Sequence, residues 1–238
     1  MISLAAAAAC ESPPVERPPL AITSASPSDG ERGVATTILP TVTFNVPLDP
    51  NVVGSGLIGL HSGDLRPGGR VRYSMADRTA TFIPAVALRA RLAYVVTLDP
   101  NVRGIHGGAL PEPFEATFVT GDGGPDRPAD PPTPDYAADV APLVDSRCAS
   151  CHSGPSPAAG LPLDGASGLP GTVERTSSQW LGWRVVDPGA PERSYLMYKI
   201  VAAPGVMGEA MPPRAPLGTE ERRTLERWIA GGAHVAGE

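Results

Sequence analysis

Cysteine and histidine are scarce here: 238 residues hold three cysteines and four histidines. Two of the cysteines, Cys148 and Cys151, form a CxxC pair. No second CxxC and no HxxxH exists to complete a structural zinc site, which needs four N or S ligands. Directly adjacent Cys151 and His152 would also be awkward ligands for one tetrahedral ion. The flanks lack the βαβ pattern of a thioredoxin-like dithiol. No run of apolar residues is long enough to span a membrane as a helix. Lysine and arginine nowhere cluster, and the net charge is −6 with a pI near 5.3. Both features disfavour nucleic acid as a partner.

What is abundant is glycine and proline, 27 + 29 = 56 residues, so turns should be many and long helices few. The length suits two ordinary domains, and 42% hydrophobic content suffices for their cores. Met1 to Ala9 is apolar and small and ends at Cys10. It resembles the tail of a bacterial lipoprotein signal, which implies acylation of Cys10 and a membrane-anchored chain. Ten residues without Lys or Arg are short for a secretory signal, a shortfall that a start codon called too late would explain; the alternative is a plain signal remnant carrying an incidental Cys. Each of these readings places the mature chain outside the cytoplasm, in the periplasm or at the cell surface. Residues 1–19 are thus read as signal and Pro-rich tether, and Pro125, Pro128, Pro131, Pro132 and Pro134 mark a second linker over 123–134.

Between the linkers, over 20–122, the period is two. Thr41 to Val46 alternates, Arg70 to Ser74 pairs with Thr79 to Ile83 through a turn at Ala76-Asp77, and Tyr94 to Leu98 and Phe114 to Val119 continue the pattern. About seven short strands punctuated by turn residues predict a β-sandwich. The order of cues, Pro27-Ser28-Asp29-Gly30, Val34, Phe44, Thr81-Phe82-Ile83-Pro84, Leu88, Tyr94 to Thr97 and Phe118-Val119-Thr120-Gly121, resembles bacterial surface-layer Ig-like domains. Leu48-Asp49-Pro50-Asn51-Val52-Val53-Gly54 recurs as Leu98-Asp99-Pro100-Asn101-Val102-Arg103-Gly104. Two equivalent strand exits through type I turns explain the echo without a calcium site at Asp49 and Asp99.

Over 135–238 the centre is Cys148-Ala149-Ser150-Cys151-His152. Two thiols at this spacing match the two vinyl groups of a porphyrin, and an imidazole directly behind them can reach the iron, so the motif reads as a haem c attachment site. Asp135 caps an expected helix with Tyr136, Val140, Leu143 and Val144 on one face; Ser194 caps a second from Tyr195 to about Val201; Thr219 caps a third from Glu220 to Ala230, ended by Gly231-Gly232. The sixth iron ligand is assigned to Met211, because Pro212-Pro213 hold its loop extended; Met207 is the competitor, with Met197 and His234 less well placed.

This region resembles class I cytochrome c, in particular small bacterial c-type domains. The matching stretches are the CxxCH motif, Gly160 to Asp164, Asp187 to Leu196, Met211-Pro212-Pro213 and Leu225 to Ala233. The resemblance implies a small all-α domain. It also implies one covalent haem c on Cys148 and Cys151, with His152 proximal and Met211 distal. Tyr198, Trp180, Trp183, Arg184 and Arg193 are candidate neighbours of the haem. Thr133 to Glu238 carries 9 Lys/Arg against 12 Asp/Glu, net −3, with one lysine. The basic docking face of mitochondrial-type cytochrome c is therefore missing.

The expectation is a multidomain chain, an all-β Ig-like sandwich followed by an all-α cytochrome c domain. It would pass single electrons between unidentified redox proteins without transforming a substrate, the sandwich serving as spacer or docking module. The alternative is a cell-surface binding protein whose Ig-like domain carries the function and whose haem domain is a redox or sensory accessory. Haem enzymology at an open sixth site is a third option, against which the Met-Pro-Pro loop speaks.

Overall fold

A computed structural model describes residues 18–235; Cys10 and residues 11–17 of the tether lie outside the described residues. Eight strands form over the first half. β1 is Ile22–Ser26, β2 Arg32–Val34, β3 Thr41–Phe44, β4 Ile58–His61, β5 Gly69–Ser74, β6 Thr79–Pro84, β7 Ala93–Leu98 and β8 Glu115–Thr120. They build two four-stranded sheets, in the orders β1-β3-β6-β5 and β2-β8-β7-β4. The alternation read from the sequence is what divides inside from outside. Val42 and Phe44 of β3 are fully buried while Thr41 and Thr43 are not, and Tyr94, Val96 and Leu98 do the same in β7. Residues from both sheets, including Phe82, Ile58 and Phe118, share one core, with the Tyr94 and Phe118 rings stacked at 5.7 Å. The β5–β6 hairpin has the expected register, Ser74 opposite Thr79 and Arg70 opposite Ile83.

The two echoing segments lie against each other, Leu48 bridging Gly104. Each Asp caps its own turn: Asp49 accepts from the Asn51 amide at 2.8 Å and Asp99 from that of Asn101 at 2.7 Å. Asp49 also pairs with Arg103 at 3.0 Å. The carboxylates thus serve turn geometry, as an Asx turn does.

The second half corrects the expected all-α domain. Helices of all kinds make up only 19% of the structure, and they are short. Tyr136–Val140 is a single π-helical turn leading into α1, Ala141–Arg147; α2 is Tyr195–Ile200 and α3 Thr219–Ala230. Between Arg147 and Tyr195 the chain runs through turns, 3-10 turns and isolated bridges such as Val173 to Val186. The physical reason lies in the composition: glycines in this stretch, among them Gly154, Gly160 and Gly182, adopt positive φ, and prolines recur, so no helix can run through. Capping differs in detail as well. Asp135 does cap the first helical turn, accepting from the Ala138 amide at 2.8 Å. The Ser194 hydroxyl instead accepts from the Asp187 amide, and Gly218, not Thr219, is the N-cap of α3, with Glu221 reaching back to its N–H.

These elements enclose a second core of Tyr136, Val140, Val144, Leu163, Leu169, Met197, Tyr198, Leu225, Trp228 and Ile229, into which the sandwich inserts Met75. Glu226 of α3, itself buried, accepts hydrogen bonds from Ser74 Oγ and from the Met75 and Ala76 amides at the β5–β6 turn. Arg223 pairs with Asp77 of the same turn at 2.8 Å. His106 meets the Pro204 carbonyl at 2.6 Å and stacks on Trp180. The Pro-rich segment over 123–134 has no regular structure but is fastened to the sandwich by Asp130 with Arg70 and Arg72 and by Arg127 donating to the Pro84 carbonyl.

Candidate functional site

The end of α1 delivers the CxxCH motif into a compact turn. The Cys148 amide still donates to the Val144 carbonyl at 2.8 Å, closing the helix, and the Cys151 and His152 amides both turn back to the Cys148 carbonyl at 3.2 and 3.1 Å. Two thiols and an imidazole therefore leave one tight loop. Cys148 is half-buried against the second core and Cys151 is exposed; neither is in a disulfide.

His152 is buried, at 9% exposure, and its Nδ1 lies 2.9 Å from the Leu161 carbonyl oxygen. A carbonyl can only accept, so Nδ1 is the donor, and in the neutral imidazole this leaves the Nε2 lone pair for a metal. Leu163 returns its amide to the His152 carbonyl at 2.6 Å, fixing the loop from the other side. Such a second partner orients a ligating imidazole and raises its basicity. The residues therefore fit a haem: a buried imidazole of set tautomer behind two free thiols.

The thiols do not fit a reactive dithiol. Burial pushes the Cys148 thiol up to about 11, against a smaller downward pull from Arg147. Redox-active and metal-binding cysteines are instead lowered in pKa. Among the described residues no group of three or more His, Cys, Asp or Glu side chains could hold a metal ion.

Met211 is half-buried on a loop held to α2, its amide donating to the Lys199 carbonyl at 2.9 Å. Met207 is 58% exposed, and Met197 is fully buried core. The other candidates divide. Tyr198 is buried, and its hydroxyl donates to the Glu192 carbonyl at 2.7 Å. Trp180 and Trp183 pack on each other and against Tyr198. Arg184 pairs with Glu174 and Asp187 at the surface, and Arg193 reaches Asn51 at 3.3 Å. Both tryptophans and both arginines line a groove of about 510 Å³ shared with Asp49 and Asn51 of the sandwich, and neither the CxxCH motif nor Met211 lines it.

Pattern reading missed three contributors. Leu161 acts through its backbone, which no side-chain motif marks. Lys199 carried a weak signal, a lone cation within the apolar run Tyr195 to Ile200. Glu226 sits on the inward face of α3, where a charge has to find a partner.

A family model described as bacterial Ig-like domain matches residues 16–120. No curated protein matches the chain. Among solved structures, the N-terminal part of the bacterial S-layer protein SbsC is similar at 18% identity and a TM-score of 0.33, over 43% of this chain and 24% of that one. L,D-transpeptidase 1 of Mycobacterium tuberculosis is similar at 20% identity and a TM-score of 0.30, over 44% of this chain and 40% of that one. The chain thus spans well under half the length of either, and at such scores neither likeness bears on activity or partners. The N-terminal half is similar to bacterial Ig-like domains in its sequence, and its two-sheet architecture is of the same kind.

Proposed function

We propose that this chain carries one covalent haem c on Cys148 and Cys151 and transfers single electrons outside the cytoplasm, with the Ig-like half as spacer or docking module. The observation that carries the reading is the His152 Nδ1 contact with the Leu161 carbonyl at 2.9 Å, which presents Nε2 as a ligand directly behind the two thiols. Haem, once attached, supplies a one-electron ferrous/ferric couple. This chain's residues do the rest. Cys148 and Cys151 would hold the group through their thiols, His152 and Met211 are the residues that would ligate its iron, and the His152 side chain is itself buried away from water. A thioether ligand favours the reduced state. Donor and acceptor would be other redox proteins, met at the periplasmic or outer face of a membrane to which acylated Cys10 anchors the chain.

The family match over residues 16–120 favours a second reading. In it the chain is a cell-surface binding protein whose Ig-like domain carries the function, with haem as an accessory. The match stops at residue 120 and so adds nothing to the haem reading.

Expression of the full chain with a haem c maturation system tests the proposal. The product should stay coloured after acid and organic extraction, because thioether bonds outlast the fold. Cys148→Ser or Cys151→Ser should leave the haem singly attached or absent. Haem that extracts freely from the wild type sinks the reading. A firmly attached haem that exchanges electrons with no redox partner would leave the binding-protein reading ahead.

A further inference from the structure

Lysine occurs once in this chain, at position 199, against eighteen arginines, 19 − 1. That one lysine is buried, 8% exposed, on a helix whose six residues are all buried. Its Nζ donates to the Met207 carbonyl at 2.7 Å and to the Glu209 carbonyl at 2.5 Å. Its own carbonyl accepts the Met211 amide at 2.9 Å. One turn earlier in α2, the Tyr195 hydroxyl accepts the Met207 amide at 3.2 Å. The segment Met207 to Met211 is thus tied to a single helix by four hydrogen bonds, three of them through one residue. An ammonium is suited to this position because it has three donors and no acceptor, so it can satisfy two loop carbonyls at once and leaves no acceptor of its own unpaired.

We propose that Lys199 is the positioning residue for Met211, clamping the Met207 to Met211 loop onto α2 so that the thioether is held ready for iron. The proposal rests on the haem reading above, but the clamp itself exists without haem and can be read separately. Without the Nζ contacts the loop keeps only the two amide bonds to α2, and Gly205 and Gly208, both at positive φ, leave it free to rearrange. Met211 would then compete poorly with water or an external ligand.

The test uses the full chain, with and without haem, as wild type, Lys199→Met and Lys199→Arg. In the haem-free protein, Lys199→Met should speed hydrogen exchange at the Met207 and Met211 amides about tenfold, the loss expected for one ordinary hydrogen bond's worth of local stability, and leave α3 unchanged. In the haem-loaded protein it should abolish the sulfur-to-iron absorption band and admit carbon monoxide, while covalent haem content stays at the wild-type level. Lys199→Arg, which can still donate to both carbonyls, should restore most of the band. Unchanged amide exchange in Lys199→Met overturns the clamp whether or not haem binds. A retained band with no carbon monoxide binding overturns its role toward Met211. A wild type that takes up no haem refutes the haem reading and this role with it. Should Lys199→Met fail to fold, acylation of the wild type decides: a Lys199 ε-amine modified as fast as free lysine overturns the clamp, and one protected until unfolding supports it.

Discussion

The carboxylate of Glu226 in α3 accepts a hydrogen bond from Ser74 Oγ in β5 at 2.7 Å, joining the second core to the sandwich. Its other oxygen takes the Met75 amide at the turn that follows. A loop tip of the sandwich is thereby capped by a helix some 150 residues away in sequence.

Burial raises the Glu226 pKa above its usual 4.5, outweighing the hydrogen bonds that favour the carboxylate. The native state therefore binds this proton more tightly than the unfolded chain does. The contribution is fully present below 4.5 and is lost as pH rises through the native value. Melting temperatures of Glu226→Gln and wild type should converge toward pH 4.5 and separate above it in favour of Gln. Glu226→Ala, which strands the Met75 amide and Ser74 hydroxyl, should cost about 2–3 kcal/mol at pH 4.5 and less as pH rises above it. Parallel pH dependences for wild type and Glu226→Gln would refute the assignment.

Phe44 is fully buried between the sheets of the sandwich. Phe44→Ala should destabilise by about 3–5 kcal/mol in denaturant unfolding, through lost transfer energy and an unfilled cavity. Phe44→Leu should cost markedly less. A loss within error of zero for Phe44→Ala would show that the sheets do not close over this ring.

Met211→Ala in the haem-loaded chain should remove the sulfur-to-iron band, open the iron to carbon monoxide and lower the midpoint potential. Met207→Ala should change little, since Met207 is 58% exposed while Met211 is half-buried. Spectra of the two variants decide the ligand. Loss of the band in Met207→Ala alone would transfer the role.

Cys10→Ser should abolish fatty-acid labelling and membrane partitioning of the full-length precursor, because stable anchoring takes more than one acyl chain. A mature N-terminus well downstream of Cys10 would instead mark an ordinary secreted form.

The sequence alone determined strands β3 and β5 to β8 of the sandwich and the capped start of the helix that leads to Cys148. The reason is that both are short-range codes. Alternation in Thr41 to Phe44 and Ala93 to Leu98 fixes which face is buried, and Asp135 caps its helix from three residues away. Only the tertiary structure decided what meets across distance. Pattern reading found three helical faces over 135–238, to which the resemblance added an all-α domain, but the turn-rich chain between Arg147 and Tyr195 supplies Leu163, Leu169, Val185 and Val186 to that core. It left Leu161 unrecognised, since a backbone carbonyl has no sequence signature, and it could not tell that Lys199 faces a loop instead of solvent. Glu226 and Met75 are ordinary residues in their own segments; only the docking of α3 on the β5–β6 turn makes one a buried cap and the other part of the second core. Periodicity reports a residue's face, whereas a partner far along the chain is chosen by packing.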